Sequence, residues 1–290
     1  MANLKEVRNR ITSVNSTMQI TSAMKMVSAA KLKRAQDAVT QMRPFSEKLS
    51  EVLSNLTSSL DSAEGMYGPH GEVNNVLLIP VTSNRGLCGG FNSQIVKATN
   101  DLIASQYAGK NVKVLSIGKK ASDVFVRDGF AVTDGSVPEQ ANHIFDELTY
   151  ENVEKVAQQV MDAYVAGQFD KVVLVYNTFK NAATQLVVVE QFLPVIAPEN
   201  DSTATVDYIF EPNKEDILEV IVPKSLKTQM FKATLDSFAG EQGARMTAMH
   251  KATDNAGDLL KDLKLTYNKA RQTAITTEIL EIVSGAEAMN

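Results

Sequence analysis

VLLIPVTSNRGLCGGFNSQI, residues 76–95, decides how the rest of the chain is read. It opens on an unbroken apolar run, the pattern of a strand buried on both faces. Glycines follow at Gly86, Gly89 and Gly90, and then a run that begins a helix. Strand, glycine-rich turn and helix N-terminus are the parts of a phosphate cradle. The spacing does not fit the known fingerprints. G-x-G-x-x-G is absent. Counted from Gly86, the sixth position that a P-loop fills with glycine is Phe91, and no lysine follows it. The second apolar run closes at Ser116–Ile117–Gly118, with no acidic residue to hold a ribose. A phosphate here would rest on Arg85 and backbone amides alone. The stretch therefore reads as a tight strand-to-helix turn.

Working outward, two more runs of the same kind appear, VKVLSI (112–117) and KVVLVY (171–176). Helical stretches near 93–106, 119–128 and 142–168 lie between the three runs. Strand and helix alternate, which predicts a parallel α/β sheet with right-handed crossovers, a Rossmann-like domain over 75–195. The run TQLVVVEQFLP (184–194) is expected to pair beside Lys171–Tyr176 as an edge hairpin. Residues 61–74 and 196–213 read as linkers.

The two chain ends have a different period. Leu4, Val7, Ile11, Val14 and Met18 recur at spacings of three and four, a coiled-coil seam. Asn3 is placed as N-cap, with Glu6 completing a capping box. After Met18 the apolar seam drifts to Ile20, Met24, Val27 and Leu32. With Pro44 as its one proline, a helix is expected over 1–60, bent near that residue. At the other end, 214–290, Pro223 is placed in a first helical turn. Met249, Ala252, Ala256, Leu259, Leu263, Tyr267, Ala270 and Ala274 form a near-heptad stripe. Ile275, Ile279, Ile282 and Ala286 continue it on a shifted line. About 60 helical residues at 1.5 Å each reach roughly 90 Å, so this helix must protrude. Its natural partner is the N-terminal helix. The fold class is thus α/β: a long antiparallel coiled coil of the N- and C-terminal helices, with the Rossmann-like domain inserted between them.

Composition limits the chemistry. The formal net charge is −5, but residues 1–48 carry nine Lys/Arg against three Asp/Glu, or +6. That segment is either a solvated helix face or a surface for an acidic partner. Cys88 is the single cysteine, which excludes an internal disulfide and a cysteine-based zinc cluster. As a nucleophile it would need a histidine base, and His70, His143 and His250 fall in three different elements. No H-E-x-x-H, EF-hand loop or His/carboxylate cluster is present, so neither a metal nor a cofactor is expected. The methionines of the first helix sit at packing positions. Nucleic-acid binding is disfavoured, because no aromatic interleaves with the basic run KMVSAAKLKR. There is no apolar run of membrane-spanning length. MANLKEVRNR resembles neither a secretory signal nor an import leader.

Three motifs resemble one family. ITSAMKMVSAAKLKRAQ (20–36) is similar to the N-terminal helix of the ATP synthase gamma subunit, and TSNRGLCGGFNS to that family's glycine loop. ITTEILEIVSGAEA (275–288) fits its C-terminal signature through Ile275, Thr276, Glu278, Glu281, Gly285, Ala286 and Ala288. YNKARQ (267–272) is also family-like. The resemblance spans essentially the whole chain. It implies a central rotor shaft with no catalytic site of its own, present once per complex. The coiled coil would turn inside a ring of alpha and beta subunits. The α/β body would sit below that ring, with epsilon, on the c-ring at the cytoplasmic face of a bacterial inner membrane. It also places Met24, Arg245, Gln272, Thr276 and Glu278 against alpha and beta. Lys31, Lys33 and Arg34 would face an acidic lever of beta, and Arg85 and Cys88 would be contact residues of the glycine loop. A redox insertion with two cysteines, found in the chloroplast branch, is missing. Two rival readings remain open from sequence: a nucleotide-binding α/β enzyme or sensor, and a static coiled-coil scaffold.

Overall fold

A computed structural model describes residues 4–57, 66–69, 71–181, 184–195 and 214–288. In chain order the elements are α1 (Leu4–Thr57), β1 (Asn75–Pro80), α2 (Phe91–Ala104), β2 (Asn111–Val114) and α3 (Lys119–Arg127). A short 3-10 turn (Asn142–Phe145) precedes α4 (Tyr150–Val165), β3 (Lys171–Phe179), β4 (Gln185–Leu193) and α5 (Lys214–Glu287). The chain divides into two compact units. One joins Met1–Ser28 with Arg245–Asn290; the other is Ala29–Ala244. The N-cap Asn3, much of the first linker and the second linker as far as 213 lie outside the described residues.

In the first unit α1 and α5 run antiparallel, as four contacts show. Arg8 Nη2 donates to the Tyr267 hydroxyl at 3.1 Å, and its guanidinium lies 5.9 Å from that ring's centroid. Met18 Sδ lies 3.9 Å from where a Cβ on Gly257 would stand. The Thr21 and Thr253 hydroxyls are 2.9 Å apart, and Lys25 Nζ is 3.3 Å from His250 Nδ1. As one partner climbs the chain the other descends by nearly the same number, which fixes the register.

This register corrects the apolar seam read from α1. Ile20 and Val27 are 60% and 57% exposed. Thr21, Lys25 and Ser28 occupy the inward positions instead. The heptad spacing never drifts; it runs unbroken from Leu4 through Val7, Ile11, Val14 and Met18 to Ser28. Small and polar residues carry it where hydrophobicity alone loses the trail. On α5 the inward line is Met249, Thr253, Ala256, Leu260, Leu263, Tyr267 and Ala270. Leu259, expected in the seam, is 49% exposed and faces away from it. Residues 271–288 of α5 are all exposed. By the register Arg271 falls opposite Leu4, the first residue of α1, so the stripe Ile275–Ile279–Ile282 has no α1 residue opposite it. Pro223 is also not in a first turn, since α5 begins at Lys214 and carries that proline in its interior.

The second unit is layered around one sheet, ordered β2-β1-β3-β4. β1 pairs parallel with β2 and with β3; β4 pairs antiparallel with β3 as the expected edge hairpin. The strands alternate between two buried faces. Leu77 and Ile79 pack with Val153, Val160 and Tyr164 of α4 and with Leu226 and Met230 of α5. Val76 and Leu78 pack with Ala121 and Phe125 of α3 on the other side. Continuous apolar strands are what this double covering requires. Two polar ties hold the sheet, one between the starts of its central strands and one at the β4 edge. The Asp170 carboxylate accepts from the backbone N–H groups of Asn74 and Asn75 at 2.8 and 2.7 Å. Glu190 on β4 accepts from Tyr176 at 2.6 Å and from Gln229 of α5 at 2.8 Å. Burial raises the Tyr176 phenol far above its ordinary value, and the neighbouring Glu190 adds to this. Tyr176 therefore remains a hydrogen-bond donor.

Candidate functional site

The turn after β1 lies at the C-terminal end of the central parallel strand, between β2 and β3. In open α/β sheets this is the switch point at which ligands bind. Here the turn's polar groups are directed inward. The Thr82 N–H donates to the Ile117 carbonyl at 2.8 Å, and the Thr82 hydroxyl accepts from the Ala121 N–H at 2.9 Å. The Ser83 hydroxyl donates to the Arg85 carbonyl at 2.7 Å, and the Ser83 N–H to Asn92 Oδ1 at 2.9 Å. Asn84 bridges two further elements. Its Oδ1 accepts from the Lys119 N–H at 3.0 Å, and its Nδ2 donates to the Asn142 carbonyl at 2.9 Å. The first N–H of α3 is thereby capped by protein. Within the same unit, α5 reaches this edge: the Ser237 hydroxyl donates to the Val81 carbonyl at 3.0 Å. Gly240 lies where an added Cβ would stand 3.4 Å from Phe91 and from Gln185.

Cys88 faces into this network. It is 1% exposed, packs with Phe91, Ile95 and Val175, and its sulfur accepts from Asn92 Nδ2 at 3.1 Å. That corrects the reading of Cys88 as an outward contact: the small thiol fills the floor of the turn. Arg85 is exposed. Beside it stands a residue that sequence reading missed. Leu87 is 66% exposed and holds φ +66°, a left-handed conformation uncommon away from glycine. The signal was there: an apolar residue between glycines in a turn whose cysteine points inward.

The remaining candidates lie on the long helices. Lys31, Lys33 and Arg34 are exposed on α1 within the second unit, flanking the buried Leu32 and Ala35. Met24, in the first unit, is half-buried. Arg245 is 7% exposed, so most of its guanidinium surface is already covered within the chain, against the expectation of an outward-facing group. Gln272, Thr276 and Glu278 are exposed. The Thr276 hydroxyl donates to the Gln272 carbonyl at 2.9 Å, back along its own helix. Around them Ile275, Ile279, Leu280, Ile282 and Val283 are 49–67% exposed. This is a run of large apolar side chains that a lone helix does not bury. Among the described residues no cluster of His, Cys, Asp and Glu could hold a metal, and no helix is long and apolar enough to cross a membrane.

An antiparallel helix pair formed by the chain ends, together with a Rossmann-like sheet encoded between them, defines the class. A family model described as ATP synthase matches residues 3–289. The chain is 58% identical over 291 residues to the ATP synthase gamma chain of Flavobacterium psychrophilum, covering 100% of this chain and 99% of that one. It is 44% identical over 302 residues to the gamma chain of Rhodospirillum rubrum, with 100% of each covered. Among solved structures it resembles the central stalk and c-ring part of the Tetrahymena thermophila mitochondrial ATP synthase (TM-score 0.57, 27% identity, covering 80% of this chain and 99% of that one). It also has the fold of a chain in the Euglena gracilis mitochondrial enzyme (TM-score 0.70, 20% identity, covering 99% and 94%). The chain belongs to the ATP synthase gamma chain family.

Proposed function

We propose that this chain is the central rotor shaft of an F1Fo-type ATP synthase. One copy per complex couples proton flow through the c-ring to ATP synthesis or hydrolysis at the beta subunits. The observation that carries the reading is full-length similarity to gamma chains, on a fold whose two ends pair antiparallel. Three chemically identical beta sites differ only if something asymmetric touches them differently. A partner shifts a conformational equilibrium only by its differential affinity for the states. A single shaft supplies that asymmetry, and its rotation passes the bias from site to site.

The chain on this reading has no catalytic site of its own. Support comes from the switch-point turn, whose polar groups are bonded within the protein and whose glycines match no phosphate fingerprint. The ring contacts are proposed to be Met24, Lys31, Lys33, Arg34, Gln272, Thr276 and Glu278, with Arg85 and Leu87 presented by the turn. Rim-type charges such as Lys31, Lys33 and Arg34 give orientation preference and encounter rate more than adhesion, which suits a sliding contact. Epsilon and the c-ring are the proposed partners of the α/β body, at the cytoplasmic face of the bacterial inner membrane. The functional division is 1–60 and 214–290 as shaft, 75–195 as body. The test is reconstitution with alpha and beta subunits. The chain should enter a complex with three of each and confer ATP turnover that stops when a disulfide tethers α5 to the ring. Failure to assemble, or unimpaired turnover in the tethered complex, refutes the rotor.

A further inference from the structure

The polar stretch of the helix pair contains an arrangement that packing alone does not explain. In the first unit the inward positions Thr21, Lys25 and Ser28 bring no large apolar group. The Thr253 hydroxyl bridges to Thr21 at 2.9 Å. One turn further, Lys25 Nζ lies 3.3 Å from His250 Nδ1, and the same nitrogen lies 3.4 Å from Asp254 Oδ2. These two neighbours make opposite demands. An ammonium can only donate and a carboxylate can only accept. With its lone pair free, Nδ1 accepts from Lys25 and links α1 to α5. With a proton on it, Nδ1 donates to Asp254, one turn along its own helix, and a charged ring repels Lys25. One atom cannot serve both.

We propose that His250 is a proton-operated switch that exchanges a bond between the two helices, to Lys25, for a bond within α5, to Asp254. The step is a protonation at Nδ1 with solvent as proton donor; no covalent bond between heavy atoms changes. The ring has access to solvent, since the His250 side chain is 56% exposed. Histidine is the side chain whose charge changes between about pH 5 and 8. The charged groups facing the ring are Lys25 from α1 and Asp254 from α5. On the α1 side the seam here is built only of Thr21, Lys25 and Ser28, and on the α5 inward line Met249 is the large apolar side chain at this level, so apolar burial that could replace the lost cross-helix bond comes from one helix only. Acid therefore loosens the pair at this level while the layers around Val14 and Leu263 stay closed. Any effect of this loosening on a rotor rests on the proposed function; the switch itself does not.

The test uses the full chain with nitrogen-15 histidine, in which three ring spectra are expected. At pH 8 His250 should be the Nε2–H tautomer with Nδ1 as acceptor, and it should become the imidazolium on acidification. In Lys25→Met the neutral ring should turn to the Nδ1–H tautomer and donate to Asp254. Amide exchange, corrected for the intrinsic rate at each pH, should show the turns around Lys25 and His250 losing about two- to fivefold in protection in acid, the scale of an exposed ion pair. In His250→Gln that loss should vanish. An Nδ1–H tautomer in the unsubstituted chain at pH 8 overturns the proposal. So does an equal acid-induced loss in His250→Gln. Both readouts come from the isolated chain and are independent of whether it assembles into a motor.

Discussion

Gly118 stands directly behind the turn and can be perturbed by one methyl group. Its φ is +106°, and a Cβ there would lie 2.2 Å from the Thr82 carbonyl oxygen, 2.6 Å from the carbonyl carbon and 2.9 Å from the Thr82 hydroxyl. Two of those atoms are backbone, so no side-chain rotation relieves the overlap. Gly118→Ala must push Thr82 away. That breaks the 2.8 Å bond from the Thr82 N–H to Ile117 and the 2.9 Å bond from the Ala121 N–H to the Thr82 hydroxyl. Each net bond is worth about 1 kcal/mol, and holding a non-glycine residue in this backbone region costs about 1–3 kcal/mol. The expected destabilisation is therefore about 3–5 kcal/mol, a large share of the stability typical of a domain. Urea unfolding at constant slope measures it. Gly86→Ala is the control, because Gly86 has nothing within 4 Å of an added Cβ and no positive φ; it should stay within about 0.5 kcal/mol of the parent. If Gly118→Ala costs under about 1 kcal/mol, or no more than the control, the reasoning about this close approach is wrong.

Further consequences can be measured in the same way. Removing residues 271–290 should leave the stability of the isolated chain within about 0.5 kcal/mol, because 271–288 are exposed. It should nonetheless impair coupled turnover in the assembled complex; a large drop in urea midpoint, or undiminished coupling, contradicts this. Asp236 is buried, and burial, followed by the nearby Glu190, raises its carboxyl against the lowering effect of Lys232 and Arg43. The native state then holds this proton longer than the unfolded chain does. Its contribution to stability is intact below the unfolded value of 3.8 and is lost as pH rises through the raised native value. Asp236→Asn should flatten that decline in a pH series of unfolding midpoints, and an unchanged slope counts against it. Replacing Lys31, Lys33 and Arg34 by alanine should reduce the salt dependence of assembly with alpha and beta while barely changing chain stability, since all three are exposed. Equal salt slopes would remove the acidic partner from the account.

Much of the body was legible along the chain. Apolar β-branched runs such as Leu77–Ile79 and Val172–Val175 have few destinations other than a sheet covered on both faces, because every side chain there must be buried. The edge hairpin could be read from its spacing alone. Charge and exposure along α1 were less legible. Ile20 and Val27 look like core by hydrophobicity and are outside; Thr21, Lys25 and Ser28 look like surface and face the partner helix, half-buried or buried. A two-helix seam is specified by geometry at spacings of three and four, and small residues satisfy it as well as large ones when the helices approach closely. Cys88 and Arg245 failed as outward groups for a related reason. Whether a polar or polarisable side chain faces a partner depends on which neighbours close over it, and some of those come from distant parts of the chain, as Val175 does for the thiol.

Sequence by itself determined the elements, their order and the family, since these rest on local period and on motifs of contiguous residues. Only the tertiary structure decided the register of α1 against α5, the burial of the turn's polar groups and the meeting of Lys25, His250 and Asp254. Each of these depends on residues far apart in the chain being fixed within a few ångströms of one another, and no local pattern records that distance.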